Sequence, residues 1–381
     1  MPNGYQVACY YFPNYHVDPR NERDHGPGWT EWELVRRAEP RFAGHHQPRV
    51  PLWGYEDESD PAAMAKKIAA AADHGIDAFI FDWYYYNDGP FLERGLEQGF
   101  FNAPNRDRLK FALMWANHNW VDIHPAKLST AFQHAHLLYP GAVTRATFDA
   151  MMELVIERYF KHPGYWLIDG CPYFSIYELH TLIEGLGGVA ATREALADFR
   201  TRVKAAGFPD LHLNDVAWDL PLLPGETAIQ DPARIIAELG FHSVTSYVWI
   251  HHVPLTSFPE MPYAQVMAAA IAHWGSMATS SKLPYFPNVT MGWDSSPRTV
   301  QSDRFVNAGY PFMPTLSGNT PAAFRQGLEA VKCFLDGRDG PRICNINAWN
   351  EWTEGSYLEP DTVHGLGYLE AIRKVFGANN L

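Results

Sequence analysis

The sequence predicts an α/β fold of one class, a (β/α)8 TIM barrel with long loops at the carboxyl ends of the strands. Three observations carry this. Short apolar runs alternate with helical patterns eight times. The segments after the apolar runs are long and aromatic, while the returns from helix to strand are short. No G-x-G-x-x-G follows any apolar run, which argues against an open doubly wound sheet.

The elements follow in order. Gln6–Phe12 (QVACYYF) reads as the first strand. Asp60–Gly75 reads as a helix, with Asp60 as cap, Pro61 in the first turn and Gly75 as stop. IDAFIFDWY is the second strand, followed by a helix around Phe91 to Gln98. Leu109–Ala116 is the third strand, and a helix from about Arg145 to Phe160 follows. In YWLIDGCPYFSIY a strand meets an Asp-Gly turn. A helix over Thr192–Ala206 leads to the strand LHLNDVA, and one over Pro232–Leu239 leads to HSVTSYV. A helix over Tyr263–Ser276 precedes YFPNVTM, and one over Pro321–Leu335 precedes RICNINAW. A last helix, near Leu366–Phe376, closes the chain.

The long segments are Pro13–Ser59 and Asn117–Thr144, whereas DHG and AAGFPD are typical returns. No linker, low-complexity stretch or internal repeat divides residues 1–381, so one barrel domain is expected. Closure has a corollary: Cys9 on the first strand and Cys344 on the last must lie on neighbouring strands.

Composition bounds the function. Hydrophobic residues make up 46% and charged residues 19% of the 381, enough for a large packed core. A net charge of -13 argues against a nucleic-acid partner, and no basic helix suggests a membrane surface. The start, MPNGYQVACYYFPNYH, lacks the charged region and apolar run of a signal peptide, so the chain as it stands reads as cytoplasmic. Cys9, Cys171, Cys333 and Cys344 show no C-x-x-C spacing and read as reduced thiols. Aromatics reach 14%, with 13 Trp and 19 Tyr, and many fall in loops. Some cap the core; others suit a cleft that stacks rings on sugar faces.

The acidic block NAWNEWTEGSYLEPD follows the last strand. Residues three apart diverge on a strand but converge in a turn or helix, at roughly 5–6 Å between Cβ atoms. Glu351 and Glu354 then form a carboxyl pair of the kind that cleaves glycosidic bonds, one protonated and one ionised. The alternative has Asn350 capping a short helix that carries both acids on its first turns.

Polar and aromatic groups recur at the other strand ends: Tyr11, Asp82, Trp83, Trp115, Asn117, His118, Asn214, Tyr247, His251, Trp293 and Asp294. Glu31 and Trp32 of WTEW, with Asn350, Trp352 and Tyr357 of the acidic block, complete the candidate substrate-binding set. Glu31 reads slightly better as a structural acid holding its long loop. The histidine pairs His45-His46, His134-His136 and His251-His252 lack H-E-x-x-H spacing, and neighbours in extended chain point apart, so no catalytic metal and no cofactor is expected. Neither a G-x-S-x-G elbow nor a P-loop is present.

These blocks, with YYFPNYH, GPGWTEWELVRRAEPRFAGHHQPRVPLWGYEDESDP, HGIDAFIFDWYYY, MWANHNW and GWDSSPR, make the chain resemble the WbsX-type proteins, which are related to glycoside hydrolase family 99. The resemblance spans nearly the whole chain. It implies a barrel enzyme acting on a carbohydrate, like the retaining endo-α-mannosidases of family 99. It also implies roles: Glu351 matches the base that acts on the substrate's 2-hydroxyl to give a 1,2-anhydro sugar, and Glu354 matches the general acid and then base. Tyr357 and Glu359 fall in the same block. Thr353 stands where family 99 usually has His, and His118 where WbsX-type proteins often carry Glu. The alternatives are a glycosyltransferase of polysaccharide synthesis, against which no D-x-D is found, and a non-catalytic carbohydrate-binding barrel.

Overall fold

The computed structural model describes residues 4–130 and 135–377; His134, of the second histidine pair, lies outside them. Among the described residues nine parallel strands build the central sheet: β1 (Gln6–Tyr11), β2 (Ala78–Tyr86), β3 (Lys110–Trp115), β4 (Cys171–Ile176), β5 (His212–Val216), β6 (Ser243–Thr245), β7 (Tyr285–Phe286), β8 (Asn288–Thr290) and β9 (Ile343–Asn347). Going round the sheet, each strand pairs with the next from β1 to β7, while β8 pairs with β9 and β9 with β1. Only Pro287 separates β7 from β8, so the two share one barrel position and the ring closes there.

The predicted strand YFPNVTM is therefore broken in the middle. Proline has no N–H to give a ladder, and the Pro287 carbonyl still accepts from the Asn345 N–H at 3.0 Å. Closure answers the cysteine corollary: Val7 pairs with Cys344 and Cys9 with Ile346 across β1 and β9.

Inside the barrel a polar layer fills one register level. Ser175, Asn214 and Ser243 stand opposite one another on β4, β5 and β6. Asn214 accepts from Tyr173 and Ser175 and donates to Ser243, at 2.8–2.9 Å. Asn345 donates to Thr245 at 2.6 Å. Buried polar groups need such partners, and the layer supplies most of them internally.

The helices form where local signals agree. Asp60 accepts from the Ala62 N–H at 2.9 Å and starts the helix Pro61–Asp73, which ends just before Gly75 at φ +89°. Thr144 and Thr320 cap Arg145–Leu154 and Pro321–Asp336 in the same manner. The Asp169-Gly170 turn has both φ values positive and joins Leu167–Ile168 to β4 as a hairpin.

One predicted helix differs. Gly89–Phe91 extends β2 as an antiparallel hairpin, and helix begins only at Gly95–Phe100, with wide i→i+5 turns. A Cβ at Gly99 would lie 2.1 Å from the Glu58 carbonyl, so the incoming loop requires glycine there. Among the described residues no helix is long and apolar enough to cross a membrane.

Candidate active site

The chain leaves β9 and makes a short antiparallel bridge, Asn350–Glu351 with Ser356–Tyr357, closed by a single 3-10 turn, Trp352–Glu354. Gly355 completes this turn at φ +64°, and a Cβ there would sit 2.7 Å from Asp294 Cβ. Asn350 does not cap the turn. Its side chain accepts from the Phe12 N–H at 2.8 Å and donates to the Phe12 carbonyl at 2.7 Å, locking the block to the end of β1.

The turn sends Glu351 and Glu354 into one cleft of about 670 Å³ at the carboxyl ends of the strands. The walls are largely aromatic, with Tyr84, Trp120, Tyr177, Tyr247, Trp293 and Tyr310 among them.

A single guanidinium joins three carboxylates. Arg298 Nη1 donates to Glu354 Oε1 at 2.6 Å, Nη2 to Glu351 Oε2 at 3.2 Å and Nε to Glu31 Oε1 at 2.9 Å. The Tyr310 hydroxyl donates to Glu354 Oε1 at 2.7 Å. Tyr247 donates to Asp82 Oδ2 at 2.8 Å and reaches Glu351 Oε1 at 3.5 Å. Asp82 Oδ1 is buried with no hydrogen-bond partner, although Asp82 lines the cleft.

Four buried acids thus surround one cation, and they cannot all ionise. Burial would raise Glu31, but Arg298, then His124 and Thr353, outweigh it and hold this carboxyl below its ordinary value. Burial, then the charge of Glu354, pushes Glu351 well above the usual carboxylate range. Burial raises Glu354 too, against the pull of Arg298 and Tyr310. Asp82 is pushed well up, chiefly by burial. Of the pair, Glu351 has the weaker hold on Arg298, at 3.2 Å against 2.6 Å for Glu354. His118 is lowered to about 4 and His124 to about 3, both mainly by burial, so both are neutral imidazoles near pH 7.

Of the candidate residues, Asp82, His118, Tyr247, His251, Trp293, Glu351 and Glu354 line this cleft. The others do not. Asn214 belongs to the barrel's internal layer. Tyr11 donates to Glu58 at 2.8 Å, and Glu58 also binds the Tyr15 N–H and His16, pinning the loop after β1. Glu31 stands behind the cleft, held by Arg298 and by Asn14 at 2.6 Å. Trp32 donates to the Glu56 carbonyl, and Trp115 to that of Tyr85. Trp83 packs on Tyr85 and Tyr159. Asn117 bridges to the Glu178 backbone in both directions. Asp294 is taken by His45 and Gln47.

Trp352 stacks on Tyr357 at 3.7 Å and donates to Glu359, which also takes Trp349 and the Lys67 ammonium. Tyr357 donates to Asp361 at 2.9 Å. These contacts hold in shape the turn that carries Glu351 and Glu354.

Sequence reading passed over Arg298, Tyr310 and Tyr177; Trp120 was legible only as one of many loop aromatics. Arg298 ends the block GWDSSPR and was legible as the cation that a cluster of acids demands. Tyr310 comes from a loop with no distinguishing pattern.

The family model described as Glycosyltransferase WbsX matches residues 7–372. A curated relative, the uncharacterized protein WxcX of Xanthomonas campestris pv. campestris, is 26% identical over 385 aligned residues, 97% of this chain and 49% of its own. The chain thus spans about half the length of the curated relatives it matches. Among solved structures, the GH99 endo-alpha-mannosidase from Bacteroides thetaiotaomicron superposes with a TM-score of 0.56 at 14% identity, covering 100% of this chain and 98% of that one. A glycoside hydrolase-like protein superposes with a TM-score of 0.62, also at 14% identity, over 99% and 94% of the two chains. At these identities the likeness establishes the fold.

Proposed function

The chain belongs to the Glycosyltransferase WbsX family, and on that premise we propose that it is a retaining glycoside hydrolase acting on a polysaccharide or glycan, α-mannoside-like in kind. The observation that carries the proposal is the cleft shared by Glu351 and Glu354, with the Arg298 guanidinium bonded to both. The barrel it has in common with a GH99 endo-alpha-mannosidase supports the reading.

In the roles implied by the family 99 resemblance, Glu351 takes the proton of the substrate's 2-hydroxyl. The freed oxygen attacks the anomeric carbon as the bond to the leaving oxygen breaks. Glu354 gives that oxygen its proton. A 1,2-anhydro sugar results, and water opens it, losing a proton to Glu354 while Glu351 returns one to the 2-oxygen. Each carboxyl ends as it began, and two inversions leave the anomeric configuration retained.

Burial raises both acids, so the roles require the substrate to favour the ionised form of Glu351 and the protonated form of Glu354. A 2-hydroxyl donating to Glu351 stabilises the ionised form of that acid, and a glycosidic oxygen accepting from Glu354 stabilises the protonated form there. The Asp82 oxygen that lacks a partner gains one from a sugar hydroxyl. Tyr84, Trp120 and Tyr177 offer faces for the ring.

The family's description favours a second reading, glycosyl transfer. Charge weighs against a nucleotide-sugar donor, whose diphosphate would meet Asp82, Glu351 and Glu354, with Arg298 already shared among carboxylates. The test is incubation with a panel of glycans and aryl glycosides, followed by NMR of the anomeric protons, in parallel with nucleotide sugars. Release of a sugar of retained configuration supports hydrolysis. Release of free nucleotide with formation of a new glycoside overturns it.

A further inference from the structure

The two histidines after β6 face different surroundings. His251 lines the catalytic cleft. His252 turns the other way, its side chain 3% exposed, and brings Nδ1 to 2.9 Å from Asp219 Oδ2. His273, from the helix Tyr263–Ser280, brings Nε2 to 3.7 Å from the same oxygen. The two imidazole rings stack with centroids 4.1 Å apart. We propose that Asp219, His252 and His273 form a binding site for one divalent transition-metal ion of the zinc class.

The distances fit such an ion. Donor atoms at about 2.0–2.2 Å around a tetrahedral zinc stand roughly 3.4 Å from one another. The two separations, 2.9 and 3.7 Å, straddle that value, and all three donor atoms lie within 4.8 Å of one another. His273 Nε2 is buried and has no hydrogen-bond partner although it faces a carboxylate, and a metal ion gives that lone pair a use.

The supporting shell is also in place. His252 Nε2 sits 2.8 Å from Ser246 Oγ, which is 2.8 Å from the Tyr285 hydroxyl. A ligating histidine usually engages its other ring nitrogen in this way, which fixes the ring and turns the free lone pair to the metal. Asp219 is 56% exposed, so the ion has a route in from solvent and room for water as a fourth ligand.

The site's position gives it a consequence. Asp219 lies in the loop after β5, and the Asp219 and Leu220 N–H groups donate to the His251 carbonyl at 3.0 and 2.9 Å. The same loop supplies Leu222 and Leu223 to the cleft wall, and Glu226, which accepts from Tyr177 at 2.8 Å. A bound ion ties this wall to the helix Tyr263–Ser280 and sets the cleft's shape without touching the reacting carboxyls.

The experiment uses the full chain, freed of metal with a chelator and titrated with zinc chloride against a competing chromophoric chelator. The expected result is one zinc per chain, with affinity falling at least about tenfold, the lower end for losing an outer-shell partner, in His273→Ala and in Asp219→Asn. Zinc should raise the thermal midpoint of the wild type but not of either variant. Cobalt in place of zinc should give the intense visible absorption of a low-coordinate site, absent from His273→Ala. Circular dichroism of the metal-free variants checks that they fold. Equal zinc uptake by wild type and both variants, or no stoichiometric uptake by the wild type, overturns the site.

Discussion

Replacing Arg298 with Met tests the electrostatic design of the cleft. The guanidinium holds Glu31, Glu351 and Glu354 through three different nitrogens, and its side chain is 5% exposed. Breaking a buried ionic cluster by removing one partner costs about 3–5 kcal/mol, because the remaining charges stay buried without compensation. A chain of this length unfolds with an entropy of about 0.8 kcal/mol per kelvin, so the thermal midpoint should fall by about 4–6 °C near pH 8.

The pH dependence has a definite sign. Glu31 has a folded pKa below its unfolded value, so its pairing stabilises the fold above the unfolded pKa and is lost as pH falls through the folded one. Glu351 and Glu354 have folded values above their unfolded ones, so their contribution is greatest below the unfolded pKa and declines as pH rises toward the folded values. Removing the guanidinium raises all three folded values. The gap between wild type and Arg298→Met should therefore be small near pH 4 and widen toward pH 8. Arg298→Lys should recover part of it, since one ammonium cannot take the place of three separated donors. Scanning calorimetry across this range is the assay. A gap of equal size at pH 4 and pH 8 would refute the reasoning.

Two further outcomes follow from single groups. Burial raises Asp215 to about 7, so this side chain should cost the fold up to about 4 kcal/mol as pH climbs from 4 past 7. Asp215→Asn should then gain stability over the wild type at pH 8 but not at pH 4 in urea unfolding, and an equal difference at both would count against it. Tyr310→Phe removes the hydroxyl that holds Glu354 down, and should move the limb of the pH profile of kcat/KM set by that acid upward by about 1 unit. An unmoved limb would separate Tyr310 from the chemistry.

Much of the fold was legible because local signals and tertiary demands agree. Asp60, Pro61 and Gly75 bound their helix as their chemistry dictates, and Asp169-Gly170 makes its hairpin. The helix expected around Phe91 to Gln98 starts later, at Gly95, because Gly89–Phe91 pairs back on β2, a contact the local pattern does not show. At the cleft, the spacing of Glu351 and Glu354 was readable, and so were the strand ends that carry Asp82, His118 and Tyr247. A strand end offers side chains to the loop scaffold as well as to the cleft, and sequence does not separate the two. Trp352, Asn350 and Tyr11 look like ligands in a list of strand-end residues, yet each is committed to the turn or loop that presents the acids. Arg298 and Glu31 are far apart in the chain and meet only when the barrel closes.

The most direct test of the central claim is the leaving-group dependence of Glu354→Gln. On a natural glycan, whose leaving oxygen needs a proton, the variant should lose about 10²–10⁴-fold in kcat, the usual contribution of general acid catalysis. On an aryl glycoside with an acidic phenol as leaving group, formation of the intermediate should proceed at close to the wild-type rate, visible as a burst of phenol. Equal loss on both substrates, or unchanged turnover of the glycan, would contradict the role of Glu354 and with it the account of this cleft.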